Sequence, residues 1–422
     1  MIEHDASPAT DSVYTEAAAW FSEHWDENLT LGQWWEQLAE AGWAFPSWPK
    51  GFGGRGLPPQ ATKQVTAARR AVGALGPPNG VSTFLVAPTL LHYGSDEQKA
   101  RFLPGIVTGC DRWCQLFSEP GAGSDMAGLA TRADLDGDEW VVSGQKVWNS
   151  GAQFARYGIL IARTDPDQPK HKGITYFLID MEQDGVDVRP LREMTGDAAF
   201  NEVFLSDARV PEANRLGEPG DGWRVAMTTL SHERDPDNAG MGDSAAFGTY
   251  DLATPVGRYM EESATIVDGF SIALGGTINR TLDDIIDTSG RNDDPVTRQE
   301  LMKLLAMRRT SRWSGQRAVD AMKAGGEPGP EVSTLKLVGS AIGRHTRDTG
   351  LEAMGASGML YAEDAPQNGV FQAYAMFTPA LSIAGGTDEV QRNIISERVL
   401  GLPREPGEAE QRSQPWSELR RS

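Results

Sequence analysis

A short glycine-rich segment, residues 118–125, carries the residue types best suited to chemistry in this chain. It reads SEPGAGSD and follows an apolar run at residues 113–117. Glycines that alternate with small hydroxyl residues expose consecutive backbone N–H groups, which can hold a phosphate or the edge of a flavin ring without a basic side chain. An ordinary Pro-Gly turn is the alternative interpretation of the same residues.

A second candidate segment ends the strand-like sequence of residues 140–148. Trp148 and Ser150 lie there on either side of Asn149. A tryptophan ring can cover one face of a flavin, and a nearby hydroxyl can donate a hydrogen bond to a ring nitrogen. Each segment alone is weak evidence for a cofactor site.

Other catalytic patterns are missing or incomplete. The sequence contains neither G-x-S-x-G nor H-E-x-x-H, and its six histidines lie far apart, so hydrolase functions based on serine or zinc have no support. Gly51, Gly53 and Gly56 match G-x-G-x-x-G, but no strand precedes them, and Pro58 and Pro59 would stop the helix that a dinucleotide site requires. We interpret this segment as a surface turn.

The composition is that of an acidic globular protein. The 422 residues carry 39 Lys and Arg against 59 Asp and Glu, a formal net charge of −20. Such a surface repels nucleic-acid backbones and anionic lipids, so neither a nucleic-acid nor a membrane role is expected. The N-terminus lacks the features of a secretory signal, and we expect a cytoplasmic protein. Cys110 and Cys114 are expected to be reduced thiols, and no metal site is expected.

Hydrophobic periodicity predicts helices, then strands, then helices again. Helical patterns cover residues 16–25, 31–42, 60–72, 81–92 and 96–107. Short apolar or alternating runs follow at 113–117, 140–148, 158–162, 174–180, 186–190 and 203–210. The helical period returns after Asp221, a candidate N-cap, at 222–234, 259–275, 277–288, 296–324, 330–353 and 388–399. This order predicts an α+β fold rather than alternating βαβ units.

The same pattern predicts the domain boundaries. They are 1–112 for an N-terminal helical domain, 113–218 for a middle β domain, 219–403 for a C-terminal helical bundle and 404–422 for a polar tail. The tail is polar and is expected to be mobile.

Motifs spread over nearly the whole chain resemble those of the acyl-CoA dehydrogenase family. They are GSDEQK at 94–99, FLP at 102–104, SEPGAGSD at 118–125, WNS at 148–150, GITYFL at 173–178, NEVF at 201–204 and GGTDEVQRNII at 385–395. The resemblance implies an N-terminal helical domain, a middle β-barrel and a C-terminal four-helix bundle, with FAD held between them and completed by a second subunit. It also implies α,β-dehydrogenation of an acyl-CoA thioester, bulky or branched acyl groups included, with electrons passed to an electron-transfer flavoprotein.

The resemblance also implies roles for residues at the matching positions. Five residues would line the flavin and the thioester: Leu116, Phe117, Ser118, Gly123 and Ser124. Ser124 would also contact the substrate. Trp148 and Ser150 would contact the isoalloxazine ring. Thr387 and Glu389 would supply the remaining FAD contacts.

At the catalytic base, this sequence departs from the commonest family pattern. The usual base precedes the Gly-Thr pair near the C-terminus, where this chain has Gly385, and glycine cannot abstract a proton. A branch like isovaleryl-CoA dehydrogenase instead places a glutamate before an arginine on the first long helix of the C-terminal domain. Glu233 and Arg234 match that place, which implies that Glu233 is the base and that Arg234 contacts the CoA side of the substrate. A solvated surface pair is the alternative.

A second departure concerns the partner. Family members carry Arg-x-x-Phe-Gly, whose arginine reaches the FAD of the neighbouring subunit; Arg291 stands in that region, without the Phe-Gly. A glycine-rich stretch around residues 239–254 resembles an insertion. These features are similar to those of the family branch that forms α2β2 heterotetramers and acts on CoA thioesters of sterol side chains. Both a homo-oligomer and an α2β2 assembly with a related chain therefore stay open.

Two further functions remain as alternatives. The chain is either an active dehydrogenase or a catalytically silent subunit that completes the flavin site of a partner, as Gly385 and the missing Phe-Gly suggest. An oxygen-using acyl-CoA oxidase or flavin monooxygenase on the same fold is the third alternative.

Overall fold

The computed structural model describes residues 8–233, 250–264, 278–323, 329 and 332–419. It divides into two compact units. The first comprises Met1–Leu191, Ala198–Ile266 and Gln414–Ser422, and the second comprises Arg192–Asp197 and Val267–Ser413. Each unit is described by itself below.

The first unit begins with helices. They are α1 (Pro8–His24), α2 (Leu31–Glu40), α3 (Ala61–Val72), α4 (Ala87–Tyr93) and α5 (Asp96–Val107), with a π-helical turn at Ser82–Val86 directly before α4. Thr30 and Ser95 start α2 and α5 with capping boxes, which satisfy the first backbone N–H groups of each helix. The five predicted N-terminal helices are confirmed; the bounds of the last four agree within about two residues once the π-helical turn is counted with α4, but α1 begins at Pro8, eight residues before its predicted start.

Tryptophans on α2 anchor these helices. Trp34 and Trp35 are buried, and their indole N–H groups donate to the carbonyls of Leu75 and Gly76 at 2.9 Å. A buried indole needs such a partner, because an unpaired N–H is expensive in an apolar core. The glycine-rich segment 51–56 forms a turn between α2 and α3, and α3 begins only at Ala61, so this segment does not open a helix.

The middle of the chain forms one eight-stranded sheet. Its strands are β1 (Trp113–Leu116), β2 (Arg132–Asp136), β3 (Glu139–Lys146), β4 (Tyr157–Arg163), β5 (Ile174–Asp180), β6 (Val186–Leu191), β7 (Phe200–Pro211) and β8 (Arg215–Leu216). The order is β6-β7-β3-β2-β4-β5-β8, and β1 pairs parallel to β4. The sequence pattern misses β2, which is mostly polar, and β8, which has two residues.

The central strands β4 and β5 are buried on both faces. Alternate residues point to opposite sides, so Ile159 and Ile161 join the core with the N-terminal helices, whereas Leu160 and Ala162 join the core with β3 and β7. Continuous apolar runs of this kind are typical of strands covered on both sides.

Two more α-helices belong to the described part of the first unit. They are α6 (Gly222–Glu233) and α7 (Val256–Ala264). At the first residue of α7, Val256 N donates a hydrogen bond to Leu29 O at 2.8 Å, close to the start of α2. The predicted insertion around residues 239–254 lies mostly outside the described residues.

The second unit is helical. Its helices are α8 (Ile278–Ser289), α9 (Pro295–Lys323), α10 (Ser333–Met354), α11 (Val370–Phe377), α12 (Asp388–Ile394) and α13 (Glu408–Ser413). Leu282, Ile286, Leu304 and Phe371 form its core. Gly350 is required on α10, because an added Cβ would lie 2.0 Å from the Phe371 ring. The order of helices, sheet and helices confirms the α+β fold. None of the described helices is long and apolar enough to cross a membrane.

Candidate active site

The loop of residues 118–125 extends from the buried end of β1. Leu116 and Phe117 are almost fully buried, and the Phe117 ring makes an edge contact with Tyr176 on β5 at 5.8 Å between centroids. Ser118 is half-buried where the strand ends, and Gly123 and Ser124 are exposed. The first two predicted residues therefore form a floor, and the later three lie where a bound group can reach them.

A buried ion pair holds this loop against β3. The Glu119 carboxylate accepts from Lys146 Nζ at 2.8 Å, and the two side chains are 7 % and 0 % exposed. Glu119 also accepts from the backbone N–H groups of Ala130 (2.7 Å) and Thr131 (3.0 Å), so one carboxylate closes both ends of the loop. Lys146 Nζ also donates hydrogen bonds to the backbone carbonyls of Phe117 and Ile161.

The charge state of the pair follows from its surroundings. Burial by itself raises the pKa of the Glu119 carboxyl, but Lys146 and the hydrogen bonds from Thr131 and Ala130 outweigh it and hold that pKa below its usual range. Burial lowers the pKa of the Lys146 ammonium, and Glu119 opposes this effect. The sequence analysis selected neither residue, although Glu119 lies inside the SEPGAGSD motif and Lys146 inside the strand-like run at 140–148. The available signal was a charged residue in each of two segments made mostly of apolar or small residues.

The second predicted segment is joined to the loop through the backbone. Val147 N donates to Ser118 O at 3.0 Å. The next residue, Trp148, has a left-handed backbone with φ 62° and a side chain that is 57 % exposed, touching the Phe200 ring edge-on. A large exposed ring on a strained backbone is typical of a functional surface. Ser150 is half-buried and lines a cavity with Gly80 and Ser82.

Two buried asparagines fix the backbone beneath Trp148. Asn149 Nδ2 donates to Gln115 O at 2.7 Å, and its backbone N–H donates to Asn201 O at 3.1 Å. Asn201 Nδ2 returns a hydrogen bond to Asn149 O at 3.0 Å. Both side-chain oxygens lack partners among the described residues. Sequence reasoning quoted both asparagines within motifs and gave neither a role.

The glycines of the two segments provide a test of whether a cofactor fits. A Cβ added at Gly121, Gly123 or Gly151 would meet no other atom of the chain within 4 Å. Internal packing therefore does not require glycine at Gly121 or Gly123, and the open space beside them would let a bound ring or phosphate approach the backbone. The residues of these two segments fit a flavin.

Three predicted residues lie in the second unit. Thr387 caps α12, where its hydroxyl accepts from Val390 N at 3.1 Å, after Gly385 and Gly386 in left-handed conformations. Glu389 is exposed and pairs with Arg392 at 2.9 Å. Arg291 lies in a short 3-10 turn after α8. Their cofactor contacts stay predictions.

A buried carboxylate anchors the turn that Thr387 caps. Asp388 contacts Lys336 Nζ at 2.9 Å and Arg344 Nη1 at 3.0 Å, both from α10. Burial alone raises the pKa of Asp388, but hydrogen bonds from Lys336, Ser340 and Arg344 lower it to about 2. The turn at residues 385–387 is thus tied to α10 by charge.

The predicted base lies at the edge of the described chain. Glu233 is the last residue of α6, and its side chain, like all of Arg234, lies outside the described residues. The preceding turn of α6 is firmly placed. Thr229 Oγ1 is within hydrogen-bond distance of Tyr176 Oη (3.1 Å) and Thr89 Oγ1 (3.0 Å).

Comparisons with known proteins match most of the chain. Family models described as acyl-CoA dehydrogenase, N-terminal domain, middle domain and C-terminal domain match residues 8–110, 114–208 and 271–400. Acyl-CoA dehydrogenase IpdE1 of Mycobacterium tuberculosis is 36 % identical over 381 residues, which are 88 % of each chain.

Two solved structures have a similar fold. The Tcur3481-Tcur3483 steroid ACAD is 26 % identical with a TM-score of 0.70, and the match covers 96 % of this chain and 100 % of that one. The ChsE4-ChsE5 complex from Mycobacterium tuberculosis is 27 % identical with a TM-score of 0.68, with the same coverage.

Replacing Glu119 tests the buried ion pair. We expect Glu119→Gln to lower the free energy of unfolding by about 3 to 5 kcal/mol, because it leaves the Lys146 charge buried without a counter-charge. Denaturant unfolding measures this. Asp136→Asn is the matched control, since Asp136 pairs with Arg209 at 2.8 Å on the surface, and a loss below about 1 kcal/mol is expected there.

A double variant separates the pair from general packing. Adding Lys146→Met to Glu119→Gln removes the unpaired charge, so it should recover part of the lost stability. A Glu119→Gln protein as stable as the Asp136→Asn control would contradict the role given to the pair.

Proposed function

Because the chain belongs to the acyl-CoA dehydrogenase family, we propose that it carries out FAD-dependent α,β-dehydrogenation of an acyl-CoA thioester. The observation that supports this most is the joining of the 118–125 loop to the Trp148–Ser150 segment by the Val147–Ser118 hydrogen bond, above the buried Glu119–Lys146 pair. FAD, when bound, would accept the hydride that leaves the β-carbon of the substrate.

The proposed roles follow the chemistry of the side chains. Ser118, Gly123 and Ser124 offer hydroxyl and backbone donors to the cofactor and the thioester, and Leu116 and Phe117 keep the floor of the loop dry. Trp148 and Ser150 would meet the isoalloxazine ring. Arg291, Thr387 and Glu389 are proposed as the further FAD contacts.

Glu233 is proposed as the base that removes the α-proton. Position 233 follows Thr229 by one helical turn at the end of α6. Thr229 contacts Tyr176, and the Tyr176 ring contacts Phe117 at the root of the loop, so a continuous set of contacts connects the last turns of α6 with the loop. The C–H electrons form the new double bond as the carboxylate takes the proton. Arg234 is proposed to contact the CoA moiety.

The substrate class is proposed from the solved relatives. One is described as a steroid ACAD, and a second is a complex of two chains. We therefore propose a CoA thioester with a bulky, steroid-like acyl group, and a related chain as partner. An electron-transfer flavoprotein is the proposed acceptor, and hydrogen peroxide formed during turnover in air would identify an oxidase instead.

Glu233→Gln tests the base. With the acyl-CoA from a panel of straight-chain, branched and steroid-like thioesters that bleaches the wild-type flavin, the variant should bleach about 10² to 10⁴ times more slowly, because the amide cannot accept the proton. Bound FAD should be unchanged in its absorption spectrum. Glu218→Gln, an exposed glutamate beyond β8, is the control and should bleach at the wild-type rate. Bleaching by Glu233→Gln within threefold of wild type would refute the assignment.

The flavin content of the chain expressed alone tests the need for a partner. The missing Phe-Gly near Arg291 and the two-chain relatives lead us to expect well under one flavin per chain. The ratio of flavin to protein absorbance measures this. One flavin per chain together with turnover by the isolated chain would show a self-sufficient homo-oligomer and would also remove the silent-subunit alternative.

A further inference from the structure

The C-terminal segment packs on the first unit beside the sheet. Trp416 N donates to Gln168 O and Ser417 N donates to Pro166 O, both at 2.9 Å, so the segment runs along the loop that follows β4. Ser417 Oγ also donates to Asp167 at 3.2 Å. A tail predicted to be polar therefore makes specific backbone contacts near its end.

The Trp416 ring covers a buried arginine. The Arg163 guanidinium lies 4.5 Å from the ring centroid, and the arginine residue as a whole is 2 % exposed. The indole N–H of Trp416 donates to Gly128 O at 3.4 Å. A guanidinium stacked on tryptophan gains a cation–π attraction that strengthens as water is excluded. Burial lowers the pKa of Arg163 to about 10, so the group is still charged at neutral pH.

Arg163 in turn holds the chain that leaves the 118–125 loop. Its Nη2 donates to Ala127 O at 2.7 Å and to Leu129 O at 3.2 Å, and its Nη1 donates to Lys170 O at 2.9 Å. The Lys170 ammonium pairs with Asp125, the last residue of the loop, at 2.7 Å. The next backbone N–H groups along the chain, those of Ala130 and Thr131, donate hydrogen bonds to the Glu119 carboxylate.

We propose, on the basis of the FAD-binding role proposed above for the loop, that Trp416 is a positioning residue for residues 118–131. The ring shields one face of Arg163 from water, so the guanidinium keeps its bonds to the carbonyls of Ala127 and Leu129. Without the ring, water competes for the same donors and the loop samples more open conformations. The C-terminus thus contributes to the geometry of the cofactor loop without touching the cofactor.

Amide hydrogen exchange of the full-length protein without FAD tests the structural part. In Trp416→Ala, the amides of Ala130 and Thr131 should exchange about tenfold faster, while amides of α2 should exchange at the wild-type rate. Trp416→Phe keeps a ring over Arg163 and should restore exchange to within about threefold. Trp313→Ala is the matched control, because Trp313 is 62 % exposed on α9 in the other unit. Wild-type exchange in Trp416→Ala would overturn the proposal.

Titration with FAD tests the link to the cofactor, with the partner chain present if binding requires it. Trp416→Ala should weaken FAD binding about tenfold, and Trp416→Phe should restore it. Faster loop exchange with unchanged FAD affinity would overturn the proposed link between Trp416 and cofactor binding. Failure of the wild-type protein to bind FAD under any of these conditions would refute the proposed function instead, and the exchange result would still decide whether Trp416 holds the loop.

Discussion

A lysine ammonium with no exposure to water needs a counter-charge and several acceptors, and Lys146 finds them in only one arrangement. Glu119 supplies the charge, and Phe117 and Ile161 supply carbonyls. The three contacts tie together the end of β1, the loop after it, β3 and β4. Loss of any one of them leaves a buried donor or charge unpaired, so the loop is confined to a narrow set of geometries.

The surface that this pair supports is built from backbone as much as from side chains. The Val147–Ser118 hydrogen bond places Trp148 next to the loop, and the reciprocal bonds of Asn149 and Asn201 hold Trp148 in its left-handed conformation. Flexible side chains alone could not present a ring and a row of N–H groups with fixed spacing. A rigid surface of this kind is what the proposed cofactor site requires, because a reacting ring must keep one orientation.

Charge buried next to a glycine turn recurs in the second unit. Asp388 forms ion pairs with Lys336 and Arg344 of α10. These pairs fix the start of α12, where Thr387 is the N-cap. In both units a carboxylate within a family motif faces the protein interior and pairs with a cation from a neighbouring element. Stability and placement of the motif therefore come from the same groups.

Local sequence determined much of this protein. The period of apolar residues and the capping boxes at Thr30 and Ser95 place the N-terminal helices, because these signals act over one or two helical turns. The apolar runs place β4 and β5, and the motifs identify the loop at 118–125 and the segment at 148–150. Composition gives no hint of these two segments lying together; that expectation came from the family resemblance.

Tertiary structure decided the rest. The polar strand β2 has one buried residue, Ala133, and exists because β3 and β4 provide its partners. The pairing of Glu119 with Lys146 spans 27 residues, and the contact of Trp416 with Gly128 spans 288. Charged and polar side chains of this kind look like solvated surface in the sequence. Only packing reveals which of them lose water, and loss of water is what converts a weak surface charge into a constraint on the fold.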